Sequence, residues 1–253
     1  KMHYMSPTYG ILELSFGEEH YMEKLTGLDQ CSKVDSEQVI IEWIIKSERD
    51  GMNMSDAITL NYYNSNAAVF SETTKNVDFS EVQQIFTKHL SPDASILDFG
   101  CGSGRDTKYF LNHGYHVTAT DGSDVLCKMA NEYTGIQVKQ MLFEELDDRN
   151  QYDGIWACAS ILHLSREKLP DIFHKMHQAL KTNGIIYTSF KYGTFEGERN
   201  GRYFTDFTEG MFEEFVRQIS GLQIEKMWIT GDVREGRGDE RWLNILLRKT
   251  DVC

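Results

Sequence analysis

The stretch ILDFGCGSGRDTKYFLNHGYHVTATDGS, from Ile96 to Ser123, constrains the fold more than any other part of the chain. An apolar run, Ser95–Phe99, enters a turn with glycine at positions 100, 102 and 104. A helical segment over about 106–113 follows, and a second apolar run, 116–120, ends at Asp121. Strand, tight turn, helix and strand in that order make a parallel crossover unit, and parallel strands are covered by helices on both faces. The same alternation continues. Apolar runs at 137–141, Tyr152–Ala157 and 184–190 predict further buried strands, and helices are predicted over 123–133, 166–181 and 208–219. In the segment 166–181, Leu169, Ile172, Phe173, Met176 and Leu180 recur at helical spacing, Pro170 sits near the start and Asn183-Gly184 ends the segment.

Two last runs, LQIEKMWIT and RWLNILLRK, are joined by GDVREGRGDE with no helix between them. They are expected to be antiparallel, which makes the sheet mixed at one edge. Residues 1–60 have a different character, with five Lys or Arg against eleven Asp or Glu. SEQVIIEWIIKSERDG predicts a helix there and YGILELSFG can form a strand. We therefore expect an acidic, mainly helical appendage over 1–60 and one α/β domain over 61–253. The appendage serves either packing or a lid or partner surface, on which it binds a protein partner or self-associates.

The turn sets the ligand class. A dinucleotide fingerprint, GxGxxG, needs a third glycine at position 105 or 107, where this chain has Arg105 and Thr107. Asp98 precedes the turn, and a carboxylate there repels a pyrophosphate but suits an ammonium or a sulfonium. Asp121 ends the second strand, where acids accept ribose hydroxyls. A nicotinamide-dependent oxidoreductase is the rival that this spacing disfavours.

Together with YDGIWACASILH and ALKTNGIIYTSF, the stretch resembles class I S-adenosylmethionine-dependent methyltransferases, over about 62–249. The resemblance is closest to the bacterial branch of tellurite-resistance-type and methyltransferase-domain proteins. It implies a Rossmann-like, doubly wound seven-stranded sheet with an antiparallel last strand, and S-adenosyl-L-methionine as cofactor. Gly100, Gly102 and Gly104 would then approach the methionine moiety, Asp98 its amino group and Asp121 the ribose. Cys101, Arg105, Gly122, Ser123 and Ala157 complete the expected cofactor contacts. The family often places an acid after the third strand to bind adenine. MLFEEL stands here instead, leaving backbone groups, Leu142 and Phe143 for that task. Tyr63, Ala67 and Phe70 match a helix that caps the cofactor in many of these enzymes, and the same pattern also suits a helix packed on the sheet edge.

His163 follows the fourth strand, where the family delivers its methyl group, and is the candidate catalytic residue. It can line the pocket, act as a base or shape the next helix. Cys158 lacks the preceding proline of cytosine methyltransferases, and no Asn/Asp-Pro-Pro-aromatic motif occurs, which weakens base methylation. The segment FKYGTFEGERNGRYFTDFTE interleaves arginines with aromatics. Lys191, Tyr192, Arg199, Arg202 and, from the closing loop, Arg234 are the candidate acceptor contacts, with Arg237 and Arg241 nearby. Such a run can also be a solvated face. A formal net charge of −13 disfavours nucleic acid as substrate. Five scattered cysteines, Cys31, Cys101, Cys127, Cys158 and Cys253, suit reduced thiols. With no membrane-length apolar run or leader pattern, a cytoplasmic location is expected. The expected activity is methyl transfer to a small, anionic acceptor. The alternatives are a cofactor-binding module without catalysis and a methyltransferase that reaches RNA or protein through the appendage.

Overall fold

The computed structural model describes residues 3–6, 10–13, 54–234 and 236–250. The chain divides into two compact units, Lys1–Met52 and Asn53–Cys253. In the first, β1 (His3–Ser6) and β2 (Gly10–Glu13) form an antiparallel pair, with Met5 opposite Ile11. β2 falls within YGILELSFG. The helix expected over SEQVIIEWIIKSERDG lies outside the described residues.

The second unit begins with α1 (Met54–Thr74), which runs across the boundary drawn at residue 60, and α2 (Ser80–Thr87). Then come β3 (Ser95–Phe99), α3 (Arg105–Asn112), β4 (His116–Asp121), α4 (Asp124–Thr134), β5 (Lys139–Gln140) and β6 (Tyr152–Ala157). The chain continues through α5 (Leu169–Ala179), β7 (Leu180–Lys191), a hairpin of β8 (Glu196–Arg199) and β9 (Arg202–Thr205), α6 (Glu209–Val216), β10 (Leu222–Gly231) and β11 (Arg241–Lys249). The main sheet has seven strands in the order β10-β11-β7-β6-β3-β4-β5. β7, β6, β3, β4 and β5 pair in parallel, and β11 runs against both of its neighbours. The reversed strand is therefore one in from the rim, between β7 and β10, so β10 and not β11 forms the edge.

Alternation along each central strand supplies both faces of the sheet with core. Leu97, Phe99, Ile155, Ala157, Ile186 and Phe190 share one cluster with Ile172, Phe173 and Met176 of α5 and Phe212 and Phe215 of α6. Ile96, Trp156, Ile185 and Tyr187 share the other with Val82 and Phe86 of α2 and Phe110 of α3. Burial on both faces is why these strands read as unbroken apolar runs. Trp156 stacks on Tyr187 at 4.0 Å, and its indole N–H donates to Asp106 Oδ2 at 2.9 Å.

Two local expectations change. α5 stops at Ala179 and β7 starts at once with Leu180. The pairing jumps from Tyr152↔Leu180 to Gly154↔Ile185, so 181–184 bulge out of the ladder, with Asn183 at φ 62°. Asn183-Gly184 therefore marks a bulge and not a helix end. The second change is β8–β9, inside FKYGTFEGERNGRYFTDFTE, where no strand was expected. Its turn, Asn200-Gly201, has positive φ at both residues (52° and 73°), the geometry that closes a two-residue hairpin.

Candidate functional site

A cavity of about 740 Å³ opens at the carboxyl ends of the strands. One part is lined by Gly100, Cys101, Gly102, Asp121, Gly122, Leu142 and Phe143, beside Leu60, Tyr63 and Phe70 of α1. Another is lined by His163, Lys191, Tyr192, Arg199, Arg202 and Arg234, with Trp242. Arg105 also reaches it. Most of the residues singled out from the sequence therefore share one space.

The glycine turn is bare because its surroundings are full. Gly100 has φ 87°, and a Cβ there would lie 2.5 Å from Ser160 Cβ. Gly104, at φ 79°, precedes α3, and a Cβ on it would meet Thr134 Cγ2 of α4 at 2.8 Å. Gly104 does not line the cavity. Its absent side chain admits α4, a helix-packing role that a third glycine also fills in dinucleotide folds. The turn is fixed from two sides. Asp121 Oδ2 accepts from the Gly102 N–H and its Oδ1 from the Ser123 N–H, each at 2.9 Å. The Thr74 hydroxyl at the end of α1 donates to the Phe70 carbonyl at 2.7 Å and is hydrogen-bonded to the Ser103 hydroxyl at 3.0 Å. Burial raises the Asp121 carboxyl above the ordinary range, and its two backbone donors oppose that shift. Each carboxylate oxygen keeps acceptor capacity toward the cavity.

Three further residues of the expected cofactor set also lie off the cavity lining. Asp98 is 2% exposed beneath the turn, where it accepts from Thr107 Oγ1 at 2.5 Å. Burial, then the nearby Asp106 charge, pushes its carboxyl well up, toward the neutral form. Ser123 is spent as the N-cap of α4, accepting from the Leu126 N–H at 3.1 Å, and its hydroxyl meets Asn64 of α1 at 2.5 Å. Ala157 is fully buried within β6. Arg105 reaches the cavity but is held by Asp106, with both nitrogen–oxygen distances at 2.8 Å, and lies 4.5 Å over the Phe79 ring. Of the α1 pattern, Tyr63 and Phe70 line the space, whereas Ala67 is packed away from it.

His163 sits in a short 3-10 turn, Ile161–His163, just after β6. Its Nδ1 is 2.6 Å from the Tyr203 carbonyl, which can only accept, so Nδ1 carries the proton. Nε2 of the neutral ring then accepts from the Tyr63 hydroxyl at 2.7 Å. Both nitrogens are satisfied, and burial holds the imidazole down at about 3, so it is neutral at physiological pH. Burial also pushes the Cys158 thiol up to about 12, which removes it as a nucleophile near neutrality.

The cationic wall is mostly neutralised from within. Arg199 Nη2 pairs with Asp206 at 2.5 Å, and Arg234 makes Nε and Nη2 contacts to Asp232 at 2.9 and 2.5 Å. Lys191 pairs with Glu240, has Asp232 at 3.9 Å, and lies 4.2 Å over Trp242. Asp206, Asp232 and Glu240 were not singled out from the sequence. Only Asp232, two residues before Arg234, left a local signal. The Tyr63–His163 bond joins residues 100 apart and left none.

Residues 96–184 match the family described as "Methyltransferase domain". A relative from Haemophilus influenzae, described as "Probable S-adenosyl-L-methionine-dependent methyltransferase TehB", is 28% identical over 102 residues. That match covers 38% of this chain and 35% of the relative, about a third of the relative's length. The crystal structure of TehB from Haemophilus influenzae superposes with TM-score 0.58 at 20% identity, covering 72% of this chain and 66% of that one. The Burkholderia thailandensis 1,6-didemethyltoxoflavin-N1-methyltransferase, solved with 1,6-didemethyltoxoflavin and S-adenosylhomocysteine, superposes with TM-score 0.59 at 20% identity, covering 98% and 99%. The chain thus carries a match to a methyltransferase domain over 96–184, on a sheet similar to those of S-adenosylmethionine-dependent methyltransferases, TehB among them.

Proposed function

We propose that this chain transfers the methyl group of S-adenosylmethionine to a small anionic acceptor by in-line displacement. One observation carries the reading: a single cavity joins the glycine turn and Asp121 to a wall of cations and aromatic rings. The cofactor supplies a methyl group on a sulfonium, already bound to a good leaving group. The chain's own residues then have to bind, orient and exclude water.

Asp121 accepts the ribose hydroxyls while it keeps Gly102 and Ser123 in place. The bare backbone of Gly100 and Gly102 takes the methionine moiety, and Leu142 and Phe143 cover the adenine. Phe143 is braced edge-on against Phe99 at 4.9 Å, and Glu145 accepts from the Leu142 N–H at 2.6 Å, which fixes that corner. His163 acts here as a positioning residue. With Nδ1 donating to Tyr203 and Nε2 accepting from Tyr63, it holds the Tyr63 hydroxyl at the cavity and has no free lone pair for an incoming proton. An acceptor with its own lone pair, such as an amine or a ring nitrogen, suits a site without a free base.

The cations on the far wall support an anionic acceptor, and the net charge of −13 argues against a polyanionic one. The Burkholderia neighbour acts on a small molecule, which points the same way. The test is release of S-adenosylhomocysteine from S-adenosylmethionine across a panel of small carboxylates, phosphates and neutral amines, with transfer RNA and protein mixtures as the opposing arm. Turnover confined to small anions is expected, and turnover confined to the macromolecules would overturn the proposal.

A further inference from the structure

We infer that Arg202 is the specificity-determining residue of the acceptor site and that it pairs with one planar, singly charged group, a carboxylate. The inference rests on the proposed methyl transfer and deepens it.

The first argument is charge. Arg105, Arg199, Arg234 and Lys191 each face a carboxylate of the chain itself, and Arg237 lies 3.7 Å from Glu240. Arg241 is exposed, so its charge is solvated. Arg202 is half-buried at the cavity and makes no ion pair among the described residues. Its Nε is buried and has no hydrogen-bond partner among the described residues. An unmet buried donor is costly, and such groups usually have a partner when the site is complete.

The second argument is shape. The guanidinium carbon lies 4.3 Å from the Tyr62 ring centroid, 5.1 Å from Phe204 and 5.8 Å from Tyr63. Rings this close occupy the surroundings of the cation, and the guanidinium also hydrogen-bonds the Tyr63 hydroxyl, so the buried Nε–H is the donor that a partner would meet. The guanidinium donors lie in one plane and suit an oxyanion that presents two oxygens, a carboxylate or a phosphate. A dianionic phosphate, however, would bring excess negative charge near Asp206, Asp232 and Glu240, which line the same cavity. Place is the third argument. Tyr63, which Arg202 flanks, hydrogen-bonds His163, so a carboxylate at Arg202 anchors a short acceptor beside the group that follows β6.

Arg202 could instead hold the carboxylate of the cofactor, and the experiment separates the two. Calorimetry measures S-adenosylhomocysteine binding to wild type, Arg202→Ala and Arg202→Gln. Benzoate, benzamide and inorganic phosphate are then titrated into each protein saturated with S-adenosylhomocysteine. Benzoate should bind wild type at least tenfold more tightly than benzamide or phosphate, a difference of ~1.4 kcal/mol. Both variants should lose that preference while S-adenosylhomocysteine affinity stays within about threefold, since ~1.4 kcal/mol is a decade and this is well below it. The wild-type comparison of benzoate with benzamide needs no variant to fold. Loss of S-adenosylhomocysteine affinity with benzoate binding intact would assign Arg202 to the cofactor and overturn the inference. So would wild type that binds S-adenosylhomocysteine but not benzoate. Wild type that binds no S-adenosylhomocysteine would instead overturn the methyltransferase reading beneath it.

Discussion

Asp121→Ala should damage two things that can be measured apart. In the folded protein its carboxylate accepts from the N–H groups of Gly102 and Ser123, both at 2.9 Å. Hydrogen bonds to a charged group contribute roughly 1.5–3 kcal/mol each, and less where water can replace the lost partner. Asp121 is half-buried, so we take about 1–3 kcal/mol for the pair. For a unit of this size that lowers the melting temperature by roughly 2–12 °C, using about 2–4 °C per kcal/mol. The second loss is at the ribose. Two charge-assisted bonds would be removed, and even half of one such pair is about 1.4 kcal/mol, a tenfold weaker affinity. Calorimetry with S-adenosylhomocysteine and with its 2′-deoxy analogue isolates the ribose contribution, because the variant should lose less affinity for the analogue than for the parent. A folded Asp121→Ala protein that loses the same affinity for both ligands, or none, would refute the assignment of Asp121 to the ribose.

Gly100→Ala places a Cβ 2.5 Å from Ser160 Cβ at a φ of 87°. It should weaken S-adenosylhomocysteine binding by at least about tenfold and lower the melting temperature, since misplacement at such a site is expensive; wild-type affinity in calorimetry would contradict the turn geometry. His163 has a second, pH-dependent consequence. Its folded value is lowered from 6.5 to about 3, so the unfolded chain takes the proton first as pH falls. Its contribution to stability is therefore complete above about pH 6.5 and is lost progressively toward pH 3. Urea midpoints from pH 7 down to pH 4 should fall more steeply for wild type than for His163→Gln, and parallel curves would refute a neutral buried imidazole. Tyr63→Phe leaves Nε2 of His163 without its donor. Turnover should drop at least tenfold with S-adenosylhomocysteine affinity little changed, because the loss falls on positioning and ~1.4 kcal/mol is a decade; a loss confined to cofactor affinity would move Tyr63 to the cofactor side.

What the sequence made legible follows from which interactions are local. Strands buried on both faces announce themselves as apolar runs, so β3 and β6 were read to the residue, and the reversal of β11 followed from the missing helix after β10. The position of β11 one strand in from the rim was not legible, because strand order is set by long-range packing. Asn200-Gly201 was a readable hairpin signal, passed over in a segment read for its arginines and aromatics. At the site, the glycine turn and Asp121 were legible because backbone conformation demands those residue types. The cations were read as a group, yet their differences depend on Asp206, which meets Arg199 across the β8–β9 hairpin, on Asp232, two residues before Arg234, and on Glu240, which reaches Lys191 from 49 residues away. Asp98 shows the same limit. Its place before the turn suggested a ligand contact, and only the packing of Thr107 against it shows that the carboxyl lies beneath the turn.

The most direct test of the account is methyl transfer itself. Purified full chain is incubated with S-adenosylmethionine labelled on its methyl carbon and with small acceptors that differ only in a carboxylate, and the labelled product and S-adenosylhomocysteine are counted together. The account predicts equal amounts of both, with the carboxylate-bearing acceptor turned over well above its neutral amide. Protein that binds S-adenosylmethionine yet leaves the label on it with every small acceptor, while methylating RNA or protein, would contradict it.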